Sequence, residues 1–258
     1  MTYLAEAAPG THPTISLGCG TWCTFNYDSL ISSAIAIAVT LIVLFAIAYR
    51  LSHGVPGKLQ MVIELLLNYV RGATRDFVGE VPVFVIPLAM TIFLYILIAN
   101  WLDFFPLALI PNVHGANSDL NQTLAMALVV FIASEVYSIR VLGFGGFLRR
   151  FTKPFDLKLP LRVAFVPLNI IEEVAKPITL SLRLFGNIFA LAVMVYLIGL
   201  LLASNFGFFG AFIIGPVALA GWKLFDVFLI GTIQAFIFML LTIIYFGQAR
   251  EGLEEEHH

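Results

Sequence analysis

Apolar residues dominate five stretches of the chain, at about 29–49, 82–105, 120–139, 161–203 and 210–246, with polar residues collected between them. As helices, all five are long enough to cross a hydrocarbon core about 30 Å thick, which takes about 20 residues. Between the first two, over about 56–78, the pattern changes. Lys58, Glu64, Arg71, Arg75 and Asp76 alternate with Met61, Leu65, Leu66 and Tyr69, which recur at i, i+4, i+5 and i+8. That period predicts an amphipathic helix lying on a membrane surface. The fourth and fifth runs are too long for an upright crossing: as helices they would extend about 60 and about 55 Å. Neither has a polar turn at its midpoint, and Pro167 and Pro177 can bend a helix without ending it. The pattern therefore predicts an all-α polytopic membrane protein. It has five membrane crossings and one interfacial amphipathic helix, and the last two crossings form a long, strongly tilted hairpin. Residues 1–28 are expected to be an outside N-terminal segment and 29–258 a single membrane domain.

Composition agrees. Of 258 residues, 60% are hydrophobic and 12% charged, where a soluble domain carries about 25% charged residues. The net charge of −2 says nothing about nucleic acid, and no nucleic-acid partner is expected. The distribution of Lys and Arg sets an orientation. Arg50, Lys58, Arg71 and Arg75 follow the first run, Arg140, Arg149, Arg150, Lys153, Lys158 and Arg162 lie between the third and fourth, and Arg250 follows the fifth. Residues 1–29, 104–119 and 203–215 contain none. The positive-inside bias places the N-terminus outside and the C-terminus in the cytoplasm. Residues 1–28 have no basic start of the kind a secretory signal shows.

Cys19 and Cys23 either close a small disulfide loop in an oxidising space or stay free thiols. A zinc site is not expected, since only His12 is near them. No cofactor is expected, and no glycine-rich phosphate loop occurs.

The fourth run breaks its own apolar pattern. Glu172, Lys176, Thr179, Arg183 and Asn187 step by i+4, i+7, i+11 and i+15, so they share one helical face. A charge at the bilayer centre costs about 2.5–3.5 kcal/mol on insertion scales. With the orientation above, Glu172 and Glu173 lie toward the cytoplasm, Arg183 near the middle and Asn187 further out. In the returning fifth run Lys223 and Asp226 lie toward the outside, and Gln234 lies at a depth that can face Arg183. Asp103, which ends the second run, adds an outer carboxylate. A fixed cation with polar groups on either side suits two aqueous half-paths that meet at the charge. An Arg stays charged, repels a passing cation and attracts a carboxylate brought by a partner.

Bland readings stand beside these. Arg183 pairs with Glu172 or Glu173, Lys223 pairs with Asp226 at i,i+3, Gln234 is interhelical glue, and Lys176 snorkels to the cytoplasmic surface. A rival function is a stand-alone ion-coupled secondary transporter, but no internal repeat or titratable carboxyl beside Arg183 is visible.

Leu180-Ser-Leu-Arg183-Leu-Phe-Gly-Asn187, preceded by Lys176-Pro177, resembles the signature of subunit a of F-type ATP synthases. Gln234-Ala-Phe-Ile-Phe238 with Leu241-Thr-Ile-Ile-Tyr245 is similar to that family's last helix. Asn100-x-x-Asp103-x-x-Pro106, Asn121-x-Thr-Leu-Ala-Met126, Tyr137-Ser-Ile139 and Gly145-Gly-Phe147 match in order. The resemblance covers about residues 100–246. It implies a multi-pass chain of the cell inner membrane that acts as the proton-channel stator beside a c-ring of small hairpin subunits and a peripheral-stalk subunit b. It implies that Arg183 faces the ring carboxylate, and that Gln234, Asn187, Asp226, Glu172, Glu173 and Asp103 serve proton translocation. It implies no ATP site in this chain. The sequence departs from the family at Leu191 and Ala192, where many members carry an acid. It also departs at Val227, seven residues before Gln234, where many carry His or Glu. Asp226 is one place earlier, and on a regular helix its side chain is expected about 100° away from the usual place.

Overall fold

A computed structural model describes residues 14–16, 24–51, 57–78, 83–102, 104, 117, 119–152, 159–209 and 214–249. Apart from a small antiparallel hairpin of β1 (Thr14–Ser16) and β2 (Thr24–Asn26) and a few turn residues, they are helical. In order come α1 (Tyr27–Arg50), α2 (Lys58–Val78), α3 (Val85–Leu102), α4 (Leu120–Thr152), α5 (Leu159–Phe209), α6 (Gly215–Leu224), a π-helical turn (Phe225–Ile230) and α7 (Gly231–Gln248). Five helical stretches are long and apolar enough to cross a membrane: Tyr27–Arg50, Val85–Leu102, Leu120–Leu148, Val166–Leu201 and Gly215–Gln248. The protein is an all-α polytopic membrane protein, and α2 is the one long helix among the described residues that is not such a span.

The fourth run is a single helix of 51 residues, and it passes through both prolines. Proline removes a backbone donor, and it bends such a helix without ending it. Around Pro177, Thr179 Oγ1 donates to the carbonyls of Ala175 (2.9 Å) and Lys176 (3.0 Å), and Ser181 Oγ donates to that of Ile178 (2.9 Å). The third run extends further than its apolar residues suggest. Helical structure continues to Thr152, interrupted only at Gly143, whose φ of 68° and ψ of 168° are non-helical. The break falls on the first glycine of Gly143-Phe-Gly-Gly146.

The chain forms two compact units. The first comprises residues 1–46, 94–123 and 183–236. Here α1 presents a stripe of small and polar side chains, with Asp28, Ser29, Ser32, Ala36 and Thr40 all buried. Ala36 packs with Ala99 of α3, and small residues let helices approach closely in a membrane. Polar side chains tie the helices. Ser33 Oγ donates to Gln122 Oε1 (2.6 Å), whose Nε2 donates to the Tyr95 hydroxyl (2.9 Å). Asp119 caps α4, its Oδ1 accepting from the Asn121 N–H (2.9 Å) and its Oδ2 from Asn26 Nδ2 (2.6 Å).

The second unit comprises residues 47–93, 124–182 and 237–258. Its core includes Val70, Val85, Ala89, Leu180, Phe238, Met239, Ile243 and Phe246, all buried. Phe84, Tyr137 and Phe246 form a triangle of rings with centroids 5.7–5.8 Å apart.

Candidate functional site

Arg183 falls at the midpoint of the apolar span Val166–Leu201. The buried side chains of this stretch, Pro177, Leu180, Ser181, Leu184 and Leu191, define one face of α5. Arg183 is exposed, as are Leu182, Gly186, Phe189 and Ala190. At 100° per residue, Arg183 lies about 100° from the centre of the buried face. No side chain among the described residues makes an ion pair or hydrogen bond with it. Asn187, one turn on, is half-buried on the same stripe.

The pairing of Arg183 with Glu172 or Glu173 is therefore not formed. Glu173 pairs instead with Lys176, Nζ to Oε2 at 2.9 Å, the two side chains 13% and 15% exposed. Lys176 Nζ also sits 5.8 Å from the centroid of the Tyr245 ring, within range of a cation–π attraction. Lys176 is thus held by partners within the protein rather than snorkelling to the surface. Glu172 is exposed on α5.

On the returning helix, Gln234 is 5% exposed. It belongs to the inward face of α7 with Gly231, Ala235, Phe238, Met239, Thr242 and Phe246. Its Nε2 is buried with no hydrogen-bond partner among the described residues. Asp226 is 6% exposed and Val227 3%, so this carboxylate turns inward. The expected i,i+3 pair of Lys223 with Asp226 is not formed, since Lys223 has no ion-pair partner among the described residues. Asp226 lies in the π turn, where the Gly231 N–H bonds to the Asp226 carbonyl five residues back. The extra residue moves Asp226 into the place that Val227 would hold on a regular helix, so the expected rotation of about 100° is removed.

Asp103, Cys19 and Cys23 lie outside the described residues. Among the described residues, no group of three or more His, Cys, Asp or Glu is placed to hold a metal ion.

Reading the runs for charge passed over two buried carboxylates. Asp28 is fully buried and Asp119 is 7% exposed. The usable signal was the helical spacing of Asp28, Ser29, Ser32 and Thr40 within an otherwise apolar run. Also missed was the contact of Asn117 with Asn100, in which Asn117 Nδ2 donates to Asn100 Oδ1 (2.9 Å).

Comparison with known proteins decides the family. The family model described as ATP synthase A chain matches residues 30–247. The chain belongs to the ATP synthase subunit a family. It is 40% identical over 265 residues to ATP synthase subunit a of Mycobacterium ulcerans (strain Agy99), covering 98% of this chain and 97% of that one. With ATP synthase subunit a of Acidothermus cellulolyticus it shares 36% identity over 98% of this chain and 88% of that one. With ATP synthase subunit a of Shewanella sediminis (strain HAW-EB3) it shares 37% identity over 92% of each chain. As a member of this family, the chain is a membrane-embedded component of the ATP synthase complex. Arg183, Asn187, Gln234 and Asp226 all lie in its first compact unit.

Proposed function

We propose that the chain is the proton-translocating stator subunit of a rotary F-type ATP synthase, with two offset half-channels opening onto a c-ring and Arg183 facing the ring carboxylate. One observation carries this reading: a guanidinium at the midpoint of an apolar span, exposed on its helix and without a partner among the described residues. Left against lipid, such a charge costs about 2.5–3.5 kcal/mol or more. A carboxylate arriving from a neighbouring subunit removes that cost.

The chemistry follows from charge. A guanidinium does not give up its proton, so it acts as a fixed electrostatic element. It stabilises the ionised form of a ring carboxyl in front of it, which favours release of that carboxyl's proton. It repels a free proton, and so keeps the outer and cytoplasmic paths from joining. A ring carboxyl that has taken up a proton is neutral and crosses lipid at low cost. A potential of 100 mV supplies about 2.3 kcal/mol for each proton driven through.

In this reading the N-terminus is outside and the C-terminus cytoplasmic, in the cell inner membrane. Asp226, Asn187 and Asp103 serve the outer half-channel, Glu172 and Glu173 the cytoplasmic one, and Gln234 lies beside Arg183. The c-ring and the peripheral-stalk subunit b are the protein partners. The chain binds no ATP itself.

Disulfide cross-linking tests the placement of Arg183. Cysteines at Leu182 and Gly186 should couple to a cysteine beside the ring carboxyl in the assembled synthase, while cysteines at Leu184 and Leu191 should not. Coupling from Leu184 and Leu191 alone would put the ring on the wrong face of α5.

A further inference from the structure

The last apolar run is not a uniform α-helix. Its residues Phe225–Ile230 form a π-helical turn, and the Gly231 N–H reaches the Asp226 carbonyl where an α-helix would use that of Val227. The wider turn absorbs one residue. Gly231 therefore stacks over Asp226 as it otherwise would over Val227. From Gly231 to Gln234 the chain is α-helical. Asp226 thus occupies the place seven residues before Gln234, at about −20° around the axis instead of the about 80° of an uninterrupted helix. Both side chains are buried.

The end of α3 grips this turn. Asn100 Nδ2 donates to the Gly231 carbonyl (3.2 Å), and Asn117 orients the same amide by donating to its Oδ1 (2.9 Å). A Cβ at Gly231 would stand 3.1 Å from Asn100 Cβ, so the approach depends on glycine. The Trp101 and Phe104 rings pack on Phe228 with centroids 5.2 and 5.3 Å away. Trp101 Nε1 lies 3.4 Å from Thr232 Oγ1, which donates to the Phe228 carbonyl. These contacts of Asn100, Trp101 and Phe104 thus fall on the turn and on the residues where it returns to α-helix. π turns are rare and concentrate at functional sites.

We propose that Asn100 is a positioning residue for proton transfer: by holding the π turn at Gly231, it keeps Asp226 in line with Gln234. This rests on the reading above in one respect, that Asp226 carries protons on the outer side. Asn100 moves no proton. It selects which of two adjacent side chains, Asp226 or Val227, occupies the Gln234 line.

ATP-driven proton pumping by membrane vesicles carrying the whole synthase tests this, with assembly checked by co-purification of the ring. Asn100→Leu should lower pumping about tenfold or more, the size of loss a misplaced group produces. Deleting Val227 in the Asn100→Leu background should restore most of it, because Asp226 then stands seven residues before the glutamine on a plain α-helix. A purely structural role for Asn100 gives no rescue by a deletion in another helix. The exchange Asp226→Val with Val227→Asp, in the presence of Asn100, should abolish pumping, since the held turn points the new carboxylate off the line. Native pumping by Asn100→Leu or by the exchanged pair overturns the proposal, as does assembly of the deletion variant without rescue. Asp226→Asn separates the two ideas. If it pumps normally, the proton role of Asp226 is wrong; if it fails while Asn100→Leu pumps, only the positioning role is.

Discussion

The backbone N–H of Gly231 bonds to the carbonyl of Asp226, five residues back, not to that of Val227. This one hydrogen bond sets the phase of the last membrane helix. It brings a carboxylate onto the line of Gln234, in a sequence that places the carboxylate one residue away from where a regular helix would need it.

Gln234 offers a separation of structure from function. Its buried Nε2 has no partner among the described residues, and a polar group desolvated without a hydrogen bond costs about 1–3 kcal/mol. Gln234→Leu should therefore leave assembly and thermal stability unchanged or slightly improved, while lowering proton pumping. Parallel measurement of complex yield, melting temperature and pumping checks this. A fall in stability with pumping preserved would return Gln234 to the role of interhelical glue.

Asp119 is expected to act chiefly through structure. It caps α4 and accepts from Asn26. Removing an N-cap costs about 0.5–2 kcal/mol, so Asp119→Ala should lower the melting temperature of the complex. Asp119→Asn retains a capping oxygen and should recover most of the loss. Thermal unfolding of the purified complex reads both variants.

Gly143 carries the one positive φ among the described glycines, 68° with ψ 168°. That region is essentially restricted to glycine, and a side chain there costs about 1–3 kcal/mol. Nothing lies within 4 Å of a Cβ built at this position, so any penalty is backbone strain and not a clash. Gly143→Ala should destabilise by that amount, and Gly145→Ala, with equal space but without the positive φ, should cost little. Denaturation of the two variants side by side distinguishes them.

Much of the architecture was legible in the sequence because membrane physics leaves few options. Runs the length of a bilayer and an amphipathic stretch between them predicted the five spans and α2. The unbroken α5 followed from the lack of any polar turn near Pro167 and Pro177. Arg183 stood out because a charge in such a run is costly. What could not be read were features made by contacts distant in sequence. The π turn was not legible, because the contact of Asn100 with Gly231 that falls on it joins residues far apart in the sequence, and so the phase of Asp226 was misjudged. The polar ties of Ser33, Gln122 and Tyr95 join three helices whose packing no local pattern specifies. Lys176 looked like a snorkelling residue because Tyr245, which it meets, is far along the chain.

The role of Arg183 in proton transfer is tested by ATP-driven proton pumping in vesicles carrying Arg183→Ala, with Arg183→Lys beside it. Arg183→Ala should abolish pumping while the synthase, ring included, still assembles. Arg183→Lys should also fall well short of the native rate, since lysine lacks the planar, permanently charged fork. Near-native pumping by Arg183→Ala would contradict the account and leave the exposed guanidinium without a role in proton transfer.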